Sequence, residues 1–267
     1  MYPTLEFLGF KIWTFGVLIS ITWLLFVTLL HHFSWKEGFS RSIFSDRALI
    51  LFTLSIFLFG RICYLFSEWR NEQFILRDLF QGDILRFAKL FFIPENYHFS
   101  LFWGIFGFLI IFFWKTRENT RDRLRYFDAI TWAFLYSALL GYFATLLGGQ
   151  IYGIPFDSFI SIKYSHKESI VVTLSNVFPL PIVYMLCVGW IITLLIFFQR
   201  KVMRIPHGFI GFLGLWLFCG MLFLWEFLNG SEDMFKSYFS LNLNQIGALI
   251  GIIISLLWIF RNIEKKI

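Results

Sequence analysis

Arg61 lies inside a long apolar run of this 267-residue chain, and Glu226 stands at the end of another. By insertion scales a charged side chain at the centre of a membrane helix costs roughly 2.5–3.5 kcal/mol, so each asks for a reason. An arginine there offers a planar fork of donors suited to phosphate, and a glutamate offers a partner for that arginine or a base. Thr145, Gln150 and Asn229 close apolar runs, Asn242, Asn244 and Gln245 open the last one, and Trp13 and Thr14 open the first. If the runs cross a bilayer alternately, these groups gather at one depth, beside the headgroups of one leaflet. The chemistry they would do is the handling of a lipid headgroup, with Arg61 holding its phosphate. A plainer reading has helix-end residues reaching for water and an Arg61–Glu226 ion pair that fixes packing. Asn242 and Asn244 then read as helix-start caps.

Glycines mark the same levels. Gly148-Gly149-Gln150-Ile151-Tyr152-Gly153 packs three glycines into six residues at the end of an apolar run. That composition predicts shaped, non-helical backbone, which a membrane tolerates only against protein or a wet cavity. Gly104, Gly107, Gly208, Gly211, Gly214, Gly247 and Gly251 read as close helix contacts.

The elements that must carry these residues are membrane helices. The composition is 58% hydrophobic, 22% aromatic and only 15% charged, with 38 phenylalanines in long runs. A soluble domain carries about 25% charge. Disorder, collagen-like repeats and a disulfide-stapled secreted scaffold are excluded. Cys63, Cys187 and Cys219 lie far apart in apolar runs and read as small buried hydrophobes. Adjacent His31 and His32 point about 100° apart on a helix, and no metal site or cofactor is implied.

The apolar runs Ile12–Leu30, Ala48–Ser67, Phe99–Trp114, Phe127–Leu147, Pro181–Phe198, His207–Trp225 and Leu241–Phe260 predict seven transmembrane helices. The expected fold is an all-α integral membrane protein, one polytopic domain over residues 1–267. Only Lys11 precedes the first span and no small-residue cleavage site follows Leu30, so that span does not read as a signal peptide. Fourteen Lys and Arg residues flank the spans on the side after spans one, three, five and seven, against eight on the other. The positive-inside rule therefore sets the N-terminus outside and the C-terminus in the cytoplasm. It also accounts for the net charge of +6 without a nucleic-acid partner. The long connections 68–98 and 148–180 then face outward. In the first, Leu76, Phe80, Ile84, Phe87 and Phe91 recur at helical spacing, as in a helix lying on a membrane or packed on the bundle. The second has β-branched stretches at Phe159–Ile162 and Val171–Leu174 that predict a small cap.

In this order the motifs resemble those of the prolipoprotein diacylglyceryl transferases, seven-span bacterial membrane enzymes with the N-terminus outside. Lys11-Ile12-Trp13-Thr14-Phe15-Gly16 resembles the family's first-span motif, and Phe59-Gly60-Arg61-Ile62 followed by Tyr64 its Gly-Gly-Arg segment. Gly141 to Gly153 resembles the signature loop, His207-Gly208 to Glu226-Phe227 the penultimate span, and Leu241 to Gln245 the start of the last. The resemblance implies a bacterial plasma-membrane protein. It implies transfer of diacylglyceryl from phosphatidylglycerol to the lipobox cysteine of a secreted precursor, with glycerol phosphate released and no cofactor. On that resemblance Gln150, Glu226 and Tyr142 take the catalytic positions. Arg61, Trp13, Thr14, Phe102, Gly104, Thr145, Gly149, Gly153, Asn229 and Gln245 take the substrate-binding ones.

Several family side chains are replaced. The signature arginine is Tyr142, its following glycine Ala144, its asparagines Thr145 and Gly148, and its glutamate Gln150. Phe102 and Trp103 replace a His or Tyr and a glycine, Leu222 and Asn229 replace arginines, and around Phe178-Pro179 little beyond the proline is kept. Of the charged groups the reaction would use, Arg61 and Glu226 remain; His98, His166 or Glu168 would have to reach in from an outer loop to supply another base. Two functional readings follow: a transferase with a rebuilt site, or a transferase-fold protein that binds phospholipid or precursor without turnover. A small transporter is a third class, which would want an inverted repeat and polar groups near the midplane; the chain has neither.

Overall fold

A computed structural model describes residues 4–7, 10–36, 45–67, 82, 84–85, 100–117, 120–166, 175–201, 206–230 and 240–264. A short hairpin, β1 (Thr4–Phe7) and β2 (Phe10–Trp13), leads into α1 (Thr14–Lys36). Then follow α2 (Asp46–Ser67), α3 (Leu101–Lys115), α4 (Thr120–Gly148), α5 (Leu180–Lys201) and α6 (Phe209–Trp225). A single 3-10 turn, Glu226–Leu228, ends α6, and α7 runs Leu243–Glu264. Each of the seven apolar runs of the sequence is thus one α-helix. The segments Thr14–Trp35, Asp122–Gly148, Leu180–Lys201, Phe209–Leu228 and Leu243–Arg261 are long and apolar enough to cross a membrane. This is a multi-pass, helical membrane protein.

The hairpin adds to the helical expectation. Lys11-Ile12-Trp13, read as the approach to the first span, pairs antiparallel with the N-terminal residues, Ile12 opposite Leu5 and Trp13 opposite Thr4. The alternation in Phe10-Lys11-Ile12-Trp13 suits a strand, and the helix begins only at Thr14. The amphipathic stretch Leu76–Phe91 lies outside the described residues except at Gly82, Ile84 and Leu85, as does Val171–Leu174.

The helices divide into two compact units. Residues 1–39, 121–231 and 248–267 make the first. Its helices meet through glycines. A Cβ on Gly214 would stand 2.5 Å from Thr131 Cγ2 of α4, one on Gly211 would strike Phe127, and one on Gly251 would stand 2.5 Å from Cys219 Sγ. Without a hydrophobic force between helices in lipid, such close backbone contact is what holds them. Phe212 stacks on Trp258 with centroids 4.2 Å apart, filling the space beside the glycines. Asp128 of α4 fixes where α6 starts. Its Oδ2 accepts from Gly208 N at 2.7 Å and its Oδ1 from Gly211 N at 2.6 Å. Both are amides that the first turn of a helix leaves unpaired, and the carboxylate also meets the positive end of the helix dipole. Gly208 itself has φ +86°, a left-handed conformation suited to glycine.

Residues 40–120 and 232–247 make the second unit. Here α2 and α3 pack closely: Phe52 and Phe108 have centroids 4.7 Å apart, and a Cβ on Gly107 would stand 2.7 Å from Phe59 Cβ. The start of α7 carries a reciprocal cap, with Gln245 N donating to Asn242 Oδ1 at 2.7 Å and Asn242 N donating to Gln245 Oε1 at 2.9 Å. Asn242 is therefore a helix-start cap. Asn244 instead accepts from Ser100 Oγ at 3.3 Å, tying α7 to the residue before α3.

Candidate functional site

In the first unit the polar groups are assembled by three chain segments that meet end to end. α4 stops at Gly148, and Gly149 turns the chain with φ +71°, a helix ending that favours glycine. Gln150 N then donates to Thr145 O at 3.2 Å. The loop beyond passes between two other backbones. Gly153 N donates to Phe178 O at 3.1 Å, Ile154 N to Leu228 O at 2.9 Å, and Gly230 N to Tyr152 O at 3.0 Å. Only a glycine fits at 153: a Cβ there would be 2.6 Å from Phe178 Cβ and 2.7 Å from Phe178 O. The glycine-rich loop thus fastens the end of α4, the approach to α5 and the end of α6 into one junction.

Glu226 sits at that junction, 4% exposed. Its two oxygens have separate donors: Tyr184 Oη reaches Oε2 at 2.8 Å, and Asn229 Nδ2 reaches Oε1 at 2.8 Å. Bonds to a carboxylate are among the stronger protein hydrogen bonds, so the group is oriented as well as solvated. Tyr184 is 1% exposed, and its ring lies 4.9 Å from that of Tyr142, tilted by 34°. Tyr142, Tyr184 and Glu226, all buried, and half-buried Asn229 therefore form one array. Desolvation in such a place would be prohibitive for a carboxylate without these donors.

Gln150 follows the end of α4, and Thr14 opens α1. The Gln150 Cγ and the Phe15 Cβ would be 3.5 and 2.9 Å from a Cβ on Gly148, so all three crowd the same spot. Gln150 Nε2 and Thr14 Oγ1 are buried and have no hydrogen-bond partner among the described residues. Thr145 is satisfied within its own helix, its hydroxyl donating to Tyr142 O at 2.8 Å. Trp13 is 40% exposed at the end of the hairpin. Tyr164, outside the helices, donates weakly to Ile151 O at 3.4 Å; burial pushes its phenol up to about 12, so it stays a neutral donor.

The second unit holds the other residues expected from the sequence. Arg61 is 2% exposed on α2, and the Gly60 carbonyl just before it accepts from Ser100 N at 3.1 Å. Phe102 and Trp103 open α3 edge to face, 5.8 Å apart, and both would meet a side chain on Gly247. Gly104 is buried on α3, where its amide donates to Ser100 O at 3.0 Å. Gln245 spends its Oε1 on the cap of α7. Of the outer-loop alternatives, His166 is exposed, whereas His98 and Glu168 lie outside the described residues.

The array of the first unit thus brings together Glu226, Tyr142 and Asn229, three of the residues singled out in the sequence. Tyr184 was not expected. Its partner is 42 residues away, and a tyrosine in an apolar helix carries no periodic or motif signal. Asp128, an acid among apolar residues, is out of place in the sequence, but nothing there indicates the two amides it holds.

A search among curated proteins finds no match. The family model for prolipoprotein diacylglyceryl transferase matches residues 3–261, which takes in the hairpin, the glycine-rich junction and, but for the last turn of α7, the seven helices of the described residues. A match over nearly the whole chain, on a helical membrane fold, shows that this protein belongs to the prolipoprotein diacylglyceryl transferase family.

Proposed function

We propose that this protein transfers the diacylglyceryl group of phosphatidylglycerol to the lipobox cysteine of a secreted precursor, at the outer leaflet of the bacterial plasma membrane. The observation that carries the reading is the buried Glu226 carboxylate, held by one donor on each oxygen at the glycine-rich junction. In this reading Glu226 helps remove the thiol proton. The thiolate sulfur then attacks the glyceryl carbon that bears the phosphate ester. A C–S bond forms as the C–O bond breaks, and glycerol phosphate leaves with the electron pair. Arg61 is the cation for that leaving phosphate, a role its permanent charge suits. Tyr142 and Gln150 supply neutral hydrogen bonds where the family resemblance implies charged groups. By the family resemblance Trp13, Thr14, Phe102, Gly104, Thr145, Gly149, Gly153, Asn229 and Gln245 take the substrate-binding positions. The protein is one polytopic domain with seven spans, and its long connections 68–98 and 148–180 face outward.

A second reading, binding of phospholipid or precursor without turnover, draws on the buried Gln150 Nε2 and Thr14 Oγ1, which have no partner among the described residues. Buried polar atoms of this kind are suited to the ester and phosphate oxygens of a lipid. The test is turnover by the purified protein with phosphatidylglycerol and a lipobox peptide, followed by glycerol phosphate release and the peptide's gain in mass. Turnover that disappears in Arg61→Ala and in Glu226→Gln supports the transferase. Stoichiometric lipid binding with no product, under conditions where an intact family member is active, establishes the binding reading instead.

A further inference from the structure

The connection from α4 to α5 carries an apolar tip that the transfer reaction does not use. Phe159 is 98% exposed, and Ile160 beside it 46%. Neither is loosely held. Ser161 N donates to Ser158 O at 3.0 Å and closes a turn around the pair. At the base of the excursion Ile162 and Val177 exchange both backbone bonds, at 3.0 and 2.8 Å, and Phe156 N donates to Asn176 O at 2.9 Å. The backbone therefore presents a phenylalanine outward in a fixed turn, where water gives it no hydrophobic gain.

The surroundings identify what it meets. Val177 lies three residues before Leu180, where the membrane-crossing helix α5 begins, so the base of the tip is within about 10 Å of that helix end. Phe159 is three residues from Phe156, about another 10 Å. The interfacial zone of each leaflet is itself roughly 5–8 Å deep. The same end of the unit shows further exposed apolar groups. Ile154 is bonded to Leu228, next to Phe227 at 47% exposure, and Trp13 stands ahead of Phe15, which packs on Gly148. Exposed Lys163 completes the set with a cation. Aromatic and aliphatic groups near the helix ends, joined by a lysine, are the makeup of a surface that sits among phospholipid headgroups. We infer that the turn Ser158–Ser161 is a membrane anchor: Phe159 and Ile160 insert into the leaflet at which α4 ends and α5 begins. This fixes the depth of the glycine-rich junction, and it depends on the membrane fold and not on transfer activity.

The test places p-benzoylphenylalanine at position 159 or 160 of the full-length protein, in vesicles of phosphatidylethanolamine and phosphatidylglycerol. Irradiation should yield phospholipid adducts at both positions, found by mass spectrometry. With the probe at 160, Phe159→Asp should lower the adduct yield about tenfold, while Phe159→Trp keeps it. Because Phe159 is bare, all these variants should melt as the unaltered protein does. Adducts formed only with an added lipobox peptide would make the tip a precursor-docking point and overturn the anchor. Adducts with neither, or a yield indifferent to Phe159→Asp, would overturn it as well.

Discussion

Tyr184 is the residue whose removal separates orientation of Glu226 from its presence. Tyr184→Phe keeps the ring that packs on Tyr142 and deletes only the hydroxyl that donates to Glu226 Oε2. A hydrogen bond to a charged group contributes about 1.5–3 kcal/mol, so turnover should fall about 10- to 100-fold. The loss should fall on kcat more than on KM, because the carboxylate remains but is no longer aimed. Steady-state kinetics with the lipobox peptide checks this, and an unchanged kcat would remove Tyr184 from the site. What the sequence makes legible at this scale is a residue out of place: Arg61, Glu226 and Asn229 stand out because polar groups in apolar runs or at their ends are costly. Tyr184 is not legible in this way, since its type is unremarkable in a membrane helix and its significance comes wholly from a contact 42 residues distant. Gln245 shows the converse. The Asn242–Gln245 spacing of three is a capping pattern as much as a ligand pattern, and in the structure its Oε1 serves the cap.

Between elements, glycines and one carboxylate decide how helices and loops meet. Gly153→Ala would drive a methyl into Phe178 Cβ and its carbonyl, both under 3 Å away, and so pull apart the junction that carries Glu226 and Asn229. The expected loss is about 1–3 kcal/mol, seen as a lower melting temperature in detergent. Gly220→Ala on α6 is the contrast: its Cβ would meet nothing within 4 Å, so better helix propensity should leave stability equal or higher, by up to about 1 kcal/mol. Should both variants melt alike, crowding at Gly153 is not what makes it a glycine. Asp128→Asn tests the start of α6 in the same assay. An amide can accept from one of the Gly208 and Gly211 N–H groups but turns its own donor toward the other, so a loss of about 1–3 kcal/mol is expected. The helices themselves were readable, because long apolar runs admit little else in a bilayer. The hairpin was not: its second strand, Phe10–Trp13, merges with the apolar start of α1, and only the pairing with Thr4–Phe7 separates them.

For the molecule as a whole, orientation in the membrane governs whether the proposed chemistry has its substrates. A secreted precursor offers its cysteine on the outer face, so the junction at Gly148–Gly153 has to lie there. The basic residues argue for it: fourteen flank the opposite helix ends against eight on this side, and six of the eight are spread through long connections where charge has less say. The prediction is made on the fusion point. Alkaline phosphatase joined after residue 165, within the α4–α5 connection, should be active, since the enzyme needs an oxidising exterior to form its disulfides. Green fluorescent protein joined after Ile267 should fluoresce, as it does in a cytoplasm. An inactive phosphatase with a dark C-terminal fusion would invert the molecule. It would then present Glu226 to the inner leaflet and exclude transfer to a secreted precursor, while the Phe159 anchor, which requires only that α4 and α5 meet one membrane face, would stand in the other leaflet.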